Sequence, residues 1–160
     1  MAHKYEHIST GEGFKVKNGA TTTAVIDQDG QLSTPSIKTI QETVTYDQFT
    51  DGGSTSGTFE LSTDIPVGAI VMQSSIDSVT GFAGDTSCVL TIGDGTDADR
   101  YNTGTPNIFA TAAAVSAGAV SGTAFHAAAK TPTLTATSGS DWGDVTAGSV
   151  TVTIFYYEAV

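Results

Sequence analysis

The densest group of ionisable side chains is Asp94, Asp97 and Asp99, inside the phrase Gly93-Asp94-Gly95-Thr96-Asp97-Ala98-Asp99. Three carboxylates with loop carbonyls could supply the roughly six to eight oxygens that calcium takes. The spacing is not that of an EF-hand, which needs acids at alternate positions, Gly at the sixth and Glu at the twelfth. Arg100 follows directly and can neutralise one aspartate, so a solvated hairpin loop is the expected reading. No other metal ligands suggest themselves. Glu42, Glu60 and Glu158 are scattered, whereas a glycosidase needs two carboxylates facing across about 5 to 9.5 Å. His3, His7 and His126 accompany no Gly-x-Ser-x-Gly phrase, and no second Cys or His lies near Cys88. No enzymatic activity and no cofactor are expected. His126, between Phe125 and Ala127, reads as a wall or interface residue. Cys88, in the apolar run Cys-Val-Leu-Thr-Ile, reads as a small core residue. Trp142, in Ser140-Asp141-Trp142-Gly143-Asp144, looks exposed on a Gly/Asp loop. It could pack on its own domain, anchor a protein interface or stack on a sugar ring.

The elements that must position these residues are strands. Ile40, Glu42, Val44 and Tyr46 alternate with Thr, Gln and Thr neighbours, a period of two that ends at Asp51-Gly52-Gly53-Ser54. Thr58 to Ser62 predicts a second strand. At Ile65-Pro66-Val67-Gly68 the Pro and Gly are not adjacent, which predicts a turn wider than type II. Residues 69–80 read as one long, twisted strand, with Ile70, Met72 and Ile76 on one face and Val71 and Val79 on the other. Ser87 to Ile92 and Thr131 to Thr137 add two more. Residues 108–129 mix Ala-rich stretches with Gly118 and Gly122, which predicts loops and short strands, with at most a helical turn near 109–114. Val150, Val152, Ile154 and Tyr156 share one face of the clearest strand, which is apolar on both sides and so belongs at the centre of a sheet or against another subunit.

Composition agrees with strands. The 160 residues include 27 Thr and 15 Ser but only 14% charged residues, so hydroxyls stand where Lys and Glu usually cover a surface. The whole predicts an all-β, jelly-roll-like β-sandwich of about seven or eight strands at 39–160, with an extended N-terminal arm at 1–38. The arm carries Gly- and Pro-marked turns and one expected hairpin over Ala24 to Leu32, turning at Asp29-Gly30. Alone it buries too little apolar surface to fold, so it is expected either to be disordered or to order against a partner, with Val25, Ile26, Leu32 and Ile37 as its interface residues. The arm is neutral. All of the net charge of -11 sits on the body, where Arg100 and Lys130 are the only Lys or Arg. A body of that sign repels phosphate backbones and anionic lipid, so neither nucleic acid nor membrane is an expected partner. No secretory signal and no apolar run of membrane-spanning length are visible, which predicts a soluble protein made in a cytosol.

Three phrases carry a resemblance: Ile65-Pro66-Val67-Gly68-Ala69-Ile70-Val71, Thr91-Ile92-Gly93-Asp94-Gly95-Thr96-Asp97-Ala98-Asp99-Arg100-Tyr101, and Thr146 through Tyr157. In them the chain resembles small structural proteins of tailed-bacteriophage virions, over about residues 65–160. The resemblance implies a capsid decoration, or cement, protein: a homotrimer on the outer capsid surface, assembled in the host cytoplasm, with the major capsid protein as partner. It carries over no catalytic residue. The rivals are a head-fibre or tail receptor-binding module contacting a host glycan, and a tail or baseplate component. A glycan binder should present Trp142 with Tyr101 or Tyr156 on an open face, and a tail tube needs sixfold rings.

Overall fold

The computed structural model describes residues 4–7, 14–18, 21–26, 32–33, 37–109, 115–122 and 124–158. The chain forms two compact units, Met1–Ile37 with Tyr157–Val160, and Lys38–Tyr156.

In the first unit β1 (Lys4–His7), β2 (Phe14–Asn18), β3 (Thr21–Ile26) and β4 (Leu32–Ser33) form an antiparallel meander in chain order. The hairpin expected here is present as the pairs Val25↔Ser33 and Ile26↔Leu32, while Asp29 and Gly30 lie outside the described residues. Two further hairpins, β1–β2 and β2–β3, precede it, which the sequence reading does not contain. Strands of four to six residues hold at most three alternations, too few to stand out among the Gly and Thr around them.

The second unit is a β-sandwich. One sheet runs β10-β8-β12-β5, with β5 at Ile37–Thr45, β8 at Ile70–Ala83, β10 at Val115–Ala119 and β12 at Ala147–Tyr157. The other runs β6-β7-β11-β9, with β6 at Thr50–Asp51, β7 at Ser56–Glu60, β9 at Cys88–Gly93 and β11 at Thr133–Ser138. β12 lies between β8 and β5, as its two apolar faces require. Val150, Val152 and Ile154 meet Val44, Val71, Leu90, Ile92 and Leu134 in one continuous core.

The connectivity follows from eight segments taken in chain order: β5, β7, β8, β9, the short segment 106–109, β10, β11 and β12. The first lies beside the eighth, the second pairs with the seventh and the third with the sixth. The fourth pairs with the fifth, through Leu90 N–H to the Pro106 carbonyl at 3.0 Å and Ile108 N–H to the Cys88 carbonyl at 2.9 Å. This nesting is one long antiparallel hairpin rolled into two sheets, the jelly roll. It sends loops to two opposite ends. Residues 46–55, 84–87 and 139–146 meet at one, and 61–69, 93–105, 120–122 and 124–132 at the other.

Two local expectations are corrected. The 66–69 turn is tight: Ala69 N–H donates to the Pro66 carbonyl at 3.2 Å, and Gly68 supplies the positive φ of 82°. Pro66 stands one place before the corner, so its separation from Gly68 is no obstacle. In β8, Val71 is buried and then Ser74 and Ile76, followed by Val79 and Phe82, while Ile70 and Met72 are exposed. The buried face changes phase along the strand, so Ile70 and Met72 do not share the side of Ile76. The paired strand β10 has its own register shift between Ser116 and Ala119.

Candidate functional site

At the first loop end the sandwich closes over aromatics. Trp142 begins a short 3-10 turn (Trp142–Asp144) that Asp141 caps by accepting from Gly143 N–H at 2.8 Å. Its own N–H donates to the Ser54 carbonyl at 2.8 Å. The indole centroid lies 5.2 Å from Phe49 and 6.3 Å from Phe82. Trp142 is therefore a core residue: the exposure its loop suggests is corrected, and of its three readings the burial supports packing on its own domain. Tyr101 and Tyr156 are buried as well, so these three rings offer no open platform for a sugar. Asp85 ties two loops of this end together, accepting from Ser140 N–H and Oγ–H, both at 2.8 Å. The Ser140 N–H leads the contacts that hold the Asp85 carboxyl well below the ordinary range. Cys88 is fully buried, and burial, helped by Asp85, pushes its thiol up to about 12, so it is inert at neutral pH.

At the second end Asp94 organises the loop that Arg100 closes. A Cβ at Gly93 would run into the Asp97 carbonyl, so the loop folds back directly over that backbone. Asp94 accepts from Thr96 N–H at 3.0 Å and Asp97 N–H at 2.9 Å. Its other oxygen lies 3.6 Å from Arg100 Nε and 3.4 Å from Lys130 Nζ. Burial opposes ionisation here, but the two N–H groups and Lys130 outweigh it and hold the Asp94 carboxyl below the ordinary range. Asp94 faces the cations, while the Asp97 and Asp99 carboxyls face each other, which raises the Asp99 carboxyl above its ordinary range, and Asp97 also accepts from Asp99 N–H at 3.4 Å. Among the described residues no group of three or more His, Cys, Asp or Glu is placed to hold a metal ion.

Behind this loop lies a buried polar layer. Asn102 accepts from Ile92 N–H at 2.5 Å, and Ser74 Oγ–H donates to the Tyr101 carbonyl at 2.6 Å. Tyr101 Oη lies 3.4 Å from His126 Nε2, and both residues are buried. Desolvation, with Arg100 and then Lys130 adding to it, lowers the His126 pKa below its ordinary 6.5, and Asp94 only partly opposes this. The unfolded chain therefore binds a proton that the fold refuses. Stability should be complete above pH 6.5 and fall as the pH drops toward the lower folded value. Urea midpoints measured from pH 7.5 to 5 check this: the wild type should lose stability over that range and His126→Asn should lose clearly less. The carboxylates Asp77, Asp85 and Asp94 add their loss only below their ordinary 3.8.

The remaining interface candidates fall in the first unit. Ile37 is 52% exposed and Ile26 is half-buried; Val25 and Leu32 are placed in β3 and β4, but their side chains lie outside the described residues. The hydroxyls have a visible use. Thr153 on β12 donates to Asp77 on β8, Gln41 on β5 reaches both, and Thr43 meets Thr151 at 2.7 Å. Among the described residues these cross-strand links on the sheet surface are hydrogen bonds rather than ion pairs. An open depression of about 370 Å³ lined by Gln48, Thr50, Thr58, Phe59 and Glu60 gathers only one ionisable group.

Sequence reasoning missed a surface at the second end. Val67, Ile70, Met72 and Phe125 are between 43% and 67% exposed. The available signal was the absence of any Asp, Glu, Lys or Arg from Ile65 to Ile76 and from Tyr101 to Ala129.

The fold and its two loop ends define the class: an antiparallel jelly-roll sandwich. No protein-family model matches the chain, and no curated protein matches it in sequence. Among solved structures, a chain of the cyanophage Pam1 capsid asymmetric unit is similar, with a TM-score of 0.53 at 19% identity, over 78% of this chain and 86% of that one. The likeness is one of fold.

Proposed function

We propose that the protein is a phage capsid decoration, or cement, protein, which binds the outer surface of the head as a homotrimer and stabilises it without enzymatic activity. The observation that carries this reading is the shared sandwich, since the similar chain belongs to a cyanophage capsid and the match runs through most of both chains. The chemistry supports it. Asp77, Asp85 and Asp94 are engaged in contacts between strands and loops, and the buried aromatics close the core. The partner is the major capsid protein, and the neutral segment 1–38 is the part best suited to lie on it or to clasp a neighbouring copy.

The full chain added to undecorated capsids of its phage should co-sediment with them and raise their heat resistance. Absence of binding together with no gain in heat or pressure resistance would falsify the reading.

A further inference from the structure

We infer that the exposed apolar surface formed by Val67, Ile70, Met72 and Phe125 is where a second copy of this chain docks. This names the contact of the homo-oligomer proposed above and rests on that reading. Ile70 and Phe125 are cross-strand bridge partners, and Met72 lies two residues along β8, also exposed. Gly68 N–H donates to the His126 carbonyl at 2.8 Å, which brings the 67% exposed Val67 alongside. Ala127, Ala128 and Ala129 continue the exposed apolar surface. The sheet's edge is near, since β10 is its outermost strand and Ala119 pairs with Gln73, next to Met72. β10 carries no charged residue and no Pro to discourage strand addition, and its register shifts between Ser116 and Ala119.

Charge decides the occupant. Two copies of a body carrying thirteen acids against Arg100 and Lys130 repel one another over most of their surface. Both of those cations already face Asp94. The segments that carry the patch, 65–76 and 101–129, contain no Asp, Glu, Lys or Arg. A basic partner would be drawn to the acidic faces, whereas a copy of the same acidic chain is repelled least over these uncharged segments, since Asp94 of the neighbouring 93–105 loop is already paired with both cations. Large exposed apolar side chains grouped in that same region are what such a contact would bury.

Sedimentation velocity on the full chain, without capsids, tests this separately from capsid binding. The wild type should form oligomers at about 10 µM, and raising salt from about 0.05 to 0.5 M should strengthen them, because screening weakens body-to-body repulsion. Phe125→Glu and Val67→Lys, each at an exposed site where folding is not at risk, should weaken association at least about 100-fold, while Thr58→Lys on the other sheet should not. A wild type that is monomeric to about 100 µM overturns the inference, as does an oligomer indifferent to both patch substitutions or one that dissociates with salt. If the monomer still binds capsids, this inference fails and the decoration reading stands; if oligomers form but capsids are not bound, the reverse holds.

Discussion

Replacing Trp142 with alanine should lower the unfolding free energy by about 3–5 kcal/mol, the range for removing a large buried aromatic, and the melting temperature by on the order of 10 °C. The indole is 4% exposed and packs on Phe49 and Phe82 where three loops of the first end converge. One side of the ring lies against Gly57 on β7, which has no side chain to move into the space. A Cβ there would fall on the indole ring, so Gly57→Ala should itself be destabilising in the wild type. In the Trp142→Ala background the clash is gone, and the same change should be neutral or stabilising by up to about 1 kcal/mol, the ordinary gain from replacing strand glycine. Urea unfolding followed by circular dichroism checks both numbers, since Trp142 is the only tryptophan and its fluorescence is lost with it. Additive effects of the two substitutions would contradict this packing.

Trp142 also marks where reading from sequence stops. Its neighbours Asp141, Gly143 and Asp144 correctly indicate a loop, and the local pattern then implies exposure. Burial is decided by Gly57, distant along the chain, whose missing side chain leaves the slot. The same division runs through the fold. β5, β9, β11 and β12 were legible because each alternates buried and open positions, as in Thr133–Ser138, where Leu134, Ala136 and Ser138 point inward. β8 was legible as one long strand but not in its faces, because its buried side changes phase and period-two reasoning assumes one phase throughout. The pairing of β9 with 106–109 was not legible, since a two-bond contact leaves no periodicity. Of the candidate site, Arg100 was correctly suspected of neutralising an aspartate. Lys130 was not, because only the rolled hairpin brings 124–132 beside 93–105.

That cross-loop contact makes Asp94→Ala the second large effect, at about 2–4 kcal/mol. Three losses combine. The N–H groups of Thr96 and Asp97 lose their acceptor, at about 1 kcal/mol each, and the cations lose the anion between them. The total stays below the full value for a sealed ion pair because the Lys130 side chain is 37% exposed and water screens it. Asp94→Asn separates these parts: the amide oxygen still accepts, so it should retain roughly half of the stability that alanine forfeits. The pH dependence has a definite sign. The folded carboxyl titrates below the ordinary 3.8, so its contribution is complete above that value and lost as pH falls through the folded value. The gap between wild type and Asp94→Asn should therefore be full at pH 7 and shrink only as the pH falls below 3.8, whereas the His126 loss already begins below pH 6.5. Millimolar calcium should leave the wild-type midpoint unchanged, because both Asp94 oxygens already have protein partners. A rise that Asp94→Asn abolishes would instead return the loop to the metal reading, and unequal loss in Arg100→Gln and Lys130→Gln would tell which cation the fold depends on more.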